Sequence, residues 1–295
     1  MLHFTLANFY NGFSVNKLFL ELVYKYGGQS DILKDNVVFN QISGSFPFNS
    51  WNGSVNSCLA PELALNSQIT DCFNQNSLSL RLNFANMFLE DTDFFNTYNK
   101  VVLEKGDNGA SVIELCNLKL YEYIKEHYPK YNKYVLSPNA SILVGDEFTP
   151  EMLNVILDNP DFQLVSLPSQ YATEEFLKQI NHKNKIEICV NPMCNPKCKY
   201  LNECILNENK LQYLFSQNSV LGNCPRRYRY NNNPNVIEIA DLHKFTQMGI
   251  THFRLETCVP NELNEYFLFL VKYFIKPEYQ QRILEEGYLA ITSHQ

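Results

Sequence analysis

The sequence predicts an α/β protein that folds as a (β/α)8 TIM-like barrel in a single domain. Short apolar runs alternate with amphipathic helical segments, about eight such units fit into 295 residues, and no low-complexity linker divides them. A barrel of this type needs about 250 residues, and a hydrophobic fraction of 45% provides a core for it. We therefore expect residues 1–295 to form one domain, with residues 189–235 as a cysteine-rich insertion after a late strand.

Periodicity and end signals define the individual elements. Apolar or alternating runs predict strands at 4–9, 37–42, 78–84, 110–115, 133–136, 162–167, 185–190 and 252–256. Helical spacing predicts helices at 15–26, 92–104, 118–128, 149–157, 173–180 and 261–274, with a strand end and a helix at 237–247. Thr149 before Pro150 indicates a helix start, as does Thr173 before two acidic residues. The segment from residue 278 onward is a C-terminal appendage to the barrel.

Charge and hydropathy narrow the class of protein. The net charge of −7 argues against a globally basic surface that follows nucleic-acid phosphates, although a local basic face stays possible. The N-terminus lacks the basic start and long apolar run of a signal peptide. No apolar window approaches the length of about 20 residues that a membrane span needs. We therefore expect a cytoplasmic protein without a membrane span, whose thiols stay reduced.

Five of the nine cysteines lie between residues 189 and 224, with the spacing C-x4-C-x3-C-x5-C-x19-C. Thiols gathered this closely in a reducing compartment are better metal ligands than disulfide partners. Cys194, Cys198, Cys204 and Cys224 stand in polar sequence rich in proline and asparagine, and we predict that these four bind a metal centre. Cys189 lies inside a predicted strand and is expected to be buried and without a metal. Cys189 or Cys58 could still replace one of the four ligands.

The cysteine spacing also bears on the metal. Zinc ribbons prefer C-x2-C pairs, which this chain lacks, and Cys224-Pro225 matches the Cys-Pro ending common at iron–sulfur sites. A 4Fe-4S cluster is therefore the predicted cofactor, with zinc as the alternative. Radical-SAM enzymes carry their cysteines near the first strand, so the late position here excludes that class. The scattered cysteines Cys72, Cys116 and Cys258 are expected to be structural, although Cys258 follows the last strand.

Several segments resemble peptidase family U32, the collagenase-like family. These are IEICVNPMCNPKC, the later GNCPRR, the closing IADLHKFTQMGITHFRLE and the run FQLVSLPSQYATEEF. The resemblance is fair over residues 130–275 and faint before them. It implies a TIM-like barrel with a 4Fe-4S cluster and an oxygen-independent hydroxylation of tRNA, ribosomal RNA or a quinone precursor, with prephenate as one oxygen donor. The chain departs from the family pattern at Thr257-Cys258, at Arg254 and in its cysteine spacing.

Polar residues mark the predicted strand ends. They are Asn8, Asn40, Arg81, Asn83, Glu114, Glu187, Asn191, Arg254 and Glu256. For any one of them, ordinary polarity at a barrel mouth or helix capping is an adequate explanation. Arg81 and Arg254 are the predicted catalytic-site cations, because an anionic substrate near a cluster calls for bidentate donors. Glu256 is predicted to hold an arginine or to act as an acid or base if buried.

Two aromatic segments have alternative interpretations. The run 226–230, RRYRY, could bind RNA phosphates and stack a base, or it could be a solvated face beside the cluster. The segment 51–53 could wall a pocket by stacking Trp51, or it could be a surface loop.

Taken together, these features predict an iron–sulfur barrel protein that performs an oxygen-independent hydroxylation on a small molecule or an RNA base. A non-catalytic subunit that carries a cluster or zinc for a protein partner is the alternative. A peptidase is a second alternative, ranked last because the sequence shows no nucleophile paired with a base.

Overall fold

The computed structural model describes residues 1–46, 49–53, 63–95, 97–106, 109–214, 224–256 and 262–293. None of the helices in these ranges combines the length and the hydropathy that a membrane span requires.

Within the described residues, eight parallel strands close into a barrel in sequence order, with β8 pairing back to β1. The strands are β1 (Leu2–Ala7), β2 (Val37–Gly44), β3 (Ser79–Phe84), β4 (Val112–Leu115), β5 (Tyr134–Leu136), β6 (Phe162–Leu167), β7 (Ile186–Cys189) and β8 (His252–Arg254). All eight coincide with predicted strands to within a few residues at each end. The predicted barrel class is therefore confirmed.

Helices lie outside the strands. They are α1 (Phe13–Lys25), α2 (Gln29–Ile32), α3 (Leu63–Gln75), α4 (Thr97–Gly106), α5 (Leu118–His127), α6 (Ala140–Val144), α7 (Pro150–Asp158), α8 (Glu174–Lys178), α9 (Leu201–Tyr213), α10 (His243–Thr246), α11 (Leu263–Phe274) and α12 (Pro277–Ser293). The predicted caps are confirmed, since the Thr149 hydroxyl accepts the Met152 N–H and the Thr173 hydroxyl accepts the Phe176 N–H. Each cap satisfies one of the free N–H groups at its helix start.

Several segments differ from the sequence prediction, which also did not identify α2, α3, α6 and α12 as helices. The predicted helix 92–104 is divided into a 3-10 turn, Asp91–Phe95, and α4. The predicted strand end at 237 is absent; a 3-10 turn, Ile239–Leu242, leads directly into α10. Helix α9 was not predicted at all, because its buried residues Glu208, Asn209 and Gln212 are polar and leave no apolar period to detect.

The core has two parts, one on each side of the barrel wall. Outward-facing residues such as Phe4 and Leu82 are fully buried beneath the helices. Inside the barrel, Val112, Val135 and Leu164 form a separate small apolar cluster. Toward the carboxyl ends of the strands, the barrel interior contains the buried charged residues Arg81, Glu114 and Glu187. This is unusual, because the interior layers of such barrels are dominated by branched apolar residues.

Candidate functional site

The four predicted ligands come together at the carboxyl-terminal face of the barrel. Cys194, Cys198, Cys204 and Cys224 line one cavity of about 240 Å³, together with Arg226 and Tyr228 at its rim. Functional sites in such barrels are built at this face by the segments that follow the strands. The cavity is therefore where a site is expected.

A tight turn and a helix start position three of the thiols. After β7, the Asn195 side chain accepts the Lys197 N–H at 2.9 Å, and the Cys198 N–H donates to the Asn195 carbonyl at 2.9 Å. Cys204 lies in the first turn of α9, where its N–H donates to the Tyr200 carbonyl at 2.9 Å. These local bonds bring residues separated by up to ten positions to one side of the segment.

The fourth thiol comes from the far end of the insertion, which is tied back to the chain after β7. The Tyr228 N–H donates to the Met193 carbonyl at 2.7 Å, and the Met193 N–H donates to Glu256 Oε2 at 2.6 Å. Nearby, Arg227 Nη1 donates to both carboxylate oxygens of Glu262, at 2.7 and 2.9 Å. Backbone bonds and one buried ion pair therefore fix Cys224 beside Cys194.

Helix α9 is held against the barrel by asparagine side chains. Asn209, which is fully buried, accepts the Met87 N–H at 3.1 Å, and Asn86 donates to the Asn209 carbonyl at 2.9 Å. Asn139 donates to the Gly53 carbonyl at 2.8 Å. Residue 53 has to be a glycine, because the Cβ of any other residue would lie 2.0 Å from the Ala85 carbonyl oxygen. This network of asparagine hydrogen bonds was not predicted from the sequence. The high asparagine content near the cysteines was the feature that could have indicated it.

The thiols are free, and burial disfavours the ionisation of Cys194 in the absence of a cation. The four cysteines form no disulfide. Burial raises the pKa of the Cys194 thiol to about 12, and the nearby Glu256 and Cys224 add to the effect. A coordinating metal reverses this preference, since a bound thiol is deprotonated outright.

The cavity dimensions bear on what could bind there. Four thiolates around one zinc ion, at a Zn–S distance of about 2.3 Å, would place the sulfur atoms only ~3.8 Å apart. Among the described residues, no three or more Cys, His, Asp or Glu side chains are close enough as they stand to hold a metal ion. The thiols around this space are of the soft donor type that both zinc and iron–sulfur centres accept.

A second cavity of about 90 Å³ adjoins the first and shares Cys194 and Leu201 with it. Arg254, Glu256 and Cys189 also line it. Burial raises the pKa of the Cys189 thiol to about 12, in keeping with its predicted position inside the protein. Arg254 therefore lies at the mouth of the barrel, as predicted, in a cavity that shares two lining residues with the cysteine cavity.

Arg81, the other predicted substrate cation, lies elsewhere. Its side chain is fully buried inside the barrel, with Nη1 donating to both oxygens of Glu187 at 2.7 and 2.8 Å and Nε 2.7 Å from Glu114 Oε2. Thr5 also donates to Glu187, at 2.8 Å. Successive residues of a barrel strand point alternately inward and outward, and Arg81 points into the barrel below its mouth. Its guanidinium therefore pairs with internal carboxylates and is not available to a substrate.

Glu256 occupies the mouth but does not hold an arginine. One of its oxygens accepts the Met193 N–H, as described above, and its own N–H donates to Asn191 Oδ1 at 2.7 Å. It therefore fixes the start of the cysteine segment.

The two aromatic segments are more buried than either sequence interpretation assumed. Trp51 is fully enclosed, packs edge-on against Phe84 and donates its indole N–H to the Asp93 carbonyl at 3.0 Å. It is neither a stacking wall nor a surface residue. Within 226–230, Arg227 is used by Glu262 and Tyr230 is buried, so the run does not present one continuous basic face. Cys58 and Cys258 lie outside the described residues.

Comparison with known proteins yields a fold similarity. No family model matches the chain, and no curated protein matches it. Among solved structures, the U32 peptidase Mk0906 is similar, with 14% sequence identity and a TM-score of 0.48, over 88% of this chain and 94% of that one. Similarity at this level concerns the path of the chain and does not extend to what Mk0906 does.

Proposed function

We propose that this protein is an iron–sulfur enzyme whose cluster is held by Cys194, Cys198, Cys204 and Cys224 at the mouth of the barrel. The single observation that supports the proposal is that four free thiols, distant in sequence, line one cavity at the functional face. A 4Fe-4S group supplies one-electron redox chemistry when bound. Reduced thiols are required for its assembly, which accords with the expected cytoplasmic location.

The favoured reaction is an oxygen-independent hydroxylation of a small molecule, the class that the resemblance to family U32 implies. The chain contributes a small, partly open second cavity of about 90 Å³ next to the cysteines, lined by Arg254 and Glu256. Its small volume suits a small substrate better than an RNA base. The basic–aromatic run is also less available to RNA, because Arg227 pairs with Glu262 and Tyr230 is buried. Arg226 stacks over Tyr200 at 4.8 Å and covers the cysteine side of the cavity rim.

Anaerobic purification with iron and acid-labile sulfide analysis tests the cofactor. We expect about four iron and four sulfide per chain, with a brown colour that bleaches on reduction. Cys204→Ser should lower the iron content sharply. Cys72→Ser is the matched control, since Cys72 is a free thiol outside both cavities and its loss should leave the iron content unchanged.

Two other results of the metal analysis would contradict the proposal. One zinc per chain without sulfide would replace the cluster by a structural zinc site and favour the accessory-subunit alternative. Equal metal content in the two cysteine variants would overturn the assignment of the ligands.

A further inference from the structure

The segment that carries the four cysteines is basic in an otherwise acidic chain. Residues 194–229 contain six lysine or arginine residues and two glutamates, which gives a formal charge of +4. The whole chain carries −7, so the rest of it carries −11. One of the six cations, Arg227, is paired with Glu262, and one of the two acids, Glu208, is buried. The other charged residues of the segment are exposed, so its surface carries an excess of positive charge.

Three of the exposed cations lie around the cysteine cavity. Arg226 lines the cavity directly, and Lys197 lies in the turn between the first two cysteines that line it. Lys199 Nζ and the guanidinium carbon of Arg226 each lie 4.8 Å from the centre of the Tyr200 ring. These three side chains form a basic rim where the cavity meets the solvent.

The cations of the basic rim have no fixed counter-charge. None of the three forms an ion pair with a described residue. Within the described part of residues 194–229, Glu203 is the one exposed acid, and it acts on the Cys204 thiol through space. The positive potential of the rim therefore extends into the solvent, while the rest of the molecule is negative.

This distribution of charge suits a transient electron-transfer complex. Such complexes bury small interfaces, and complementary charge brings the partners together quickly and in one orientation. A negatively charged protein would be attracted at the rim and repelled by the remaining surface. Tyr200, which is 37% exposed between two of the cations, offers an aromatic contact of the type that is enriched at protein interfaces.

We propose that the basic rim is the docking surface for a small acidic electron-carrier protein. This inference rests on the proposed function for its redox part, because the cysteine cavity has to hold the group that exchanges electrons. Each encounter transfers one electron, so the carrier is oxidised as the centre in the cavity is reduced, and no covalent bond forms or breaks.

Calorimetric titration of the anaerobically purified protein with oxidised flavodoxin, a small acidic electron carrier, tests the proposal. Both proteins are negative overall, so binding requires a local positive surface. At about 50 mM salt we expect a dissociation constant on the order of micromolar, and at least about fivefold weaker binding at about 300 mM salt. Flavodoxin whose carboxylates are converted to amides should bind at least about tenfold more weakly. Equal affinity for the two forms, or no binding of the native form, would overturn the proposal without the use of a variant.

Charge reversal locates the surface. Lys197→Glu combined with Lys199→Glu should weaken flavodoxin binding at least about tenfold at low salt, and should slow the bleaching of the protein by reduced flavodoxin by a similar factor. Lys244→Glu combined with Lys272→Glu is the matched control, because it changes the net charge equally at exposed positions on α10 and α11. Its affinity should stay within about threefold of the parent protein. Equal losses in the two double variants would overturn the proposal.

Two further outcomes would assign the basic rim to another occupant and overturn the proposal. One is a single-stranded RNA of about twelve nucleotides that displaces flavodoxin and binds more tightly than flavodoxin does. The other is a dimer, seen by light scattering at low salt, that the double variant at Lys197 and Lys199 abolishes. That result would place the acidic surface of a second copy on the rim.

The metal analysis separates this proposal from the proposed function. Protein with a full cluster that does not bind flavodoxin would reject the docking surface alone. Protein that holds zinc and still binds native flavodoxin through Lys197 and Lys199 would reject the proposed function and keep a docking surface for an acidic protein.

Discussion

Glu187 shows how a single residue sets the character of the barrel interior. Burial by itself would raise the pKa of Glu187, but the contacting Arg81 guanidinium outweighs burial and lowers this pKa to about 2. The Thr5 hydroxyl adds a hydrogen bond to the same carboxylate. Glu187 is thus ionised inside a closed barrel, and together with Glu114 it compensates the buried Arg81 guanidinium.

We expect Glu187→Gln to lower the free energy of unfolding by about 3–5 kcal/mol, because it removes one of the two carboxylates that contact the fully buried Arg81 guanidinium. Urea unfolding followed by circular dichroism measures this change. Glu122→Gln is the control: Glu122 is exposed on α5, and its replacement should change stability by less than about 0.5 kcal/mol. Similar values for the two variants would show that the ion pair does not stabilise the fold.

The lowered pKa of Glu187 also predicts that the free energy of unfolding decreases at acidic pH. Its folded pKa of about 2 lies below the usual value of 4.5, so its contribution is complete above pH 4.5 and is lost as the pH falls toward 2. Unfolding free energies measured across this window should decrease more steeply for the parent protein than for Glu187→Gln. Parallel curves for the two proteins would contradict the assigned pKa.

At the scale of elements, α9 depends on polar contacts for its position. Its buried face carries Glu208, Asn209 and Gln212, so little apolar burial holds it in place. Asn209 compensates by bonding to the segment after β3, which includes Asn86 and Met87. The helix that carries Cys204 is therefore placed by directional bonds, which set its position more narrowly than an apolar face would.

We expect Asn209→Ala to destabilise the docking of α9 by about 1–3 kcal/mol, because the partly buried Met87 N–H loses its acceptor. Limited proteolysis should cleave near residues 201–213 faster in this variant, and its iron content should fall. Asn207→Ala on the exposed side of the same helix is the control and should leave both readouts unchanged. Equal cleavage rates in the two variants would contradict the docking role of Asn209, since both substitutions raise helix propensity by the same amount.

At the scale of the whole molecule, the two ends of the chain meet where the barrel closes. Strand β8 pairs with β1, and α12 packs across α1 and α11, the helices that flank this seam. Backbone bonds join the same region, with Lys34 N–H donating to the Phe274 carbonyl at 2.8 Å and Lys276 N–H to the Ile32 carbonyl at 3.0 Å. Stability of the barrel should therefore depend on the C-terminal helix.

Gly287→Ala tests this dependence. A Cβ at residue 287 would lie 2.2 Å from the ring of Phe267, which is fully buried. Overpacking of about 1–3 kcal/mol should exceed the gain in helix propensity of about 1 kcal/mol, so we expect a lower melting temperature in calorimetry. Gln281→Ala, an exposed position of the same helix, should change it little. A higher melting temperature for the Gly287 variant would show that α12 is not tightly packed on α11.

The sequence by itself determined the barrel. Strand and helix periods are local properties, and eight of them in a row leave one closed parallel architecture as the natural solution. It also singled out Cys194, Cys198, Cys204 and Cys224, because clustered thiols in polar sequence have no packing role to explain them.

Only the tertiary structure decided which polar residues face which space. Arg81 and Arg254 look alike in sequence, since both follow the alternation of a strand that points them into the barrel. The two side chains lie at different depths along the barrel axis. This depth depends on the tilt of the strands and on the stagger between neighbouring strands, and neither can be deduced from one segment of the sequence. Arg81 therefore contacts two buried glutamates, while Arg254 lines a cavity beside the cysteines. Helix α9 was hidden for the same reason, because its contacts are hydrogen bonds to distant segments.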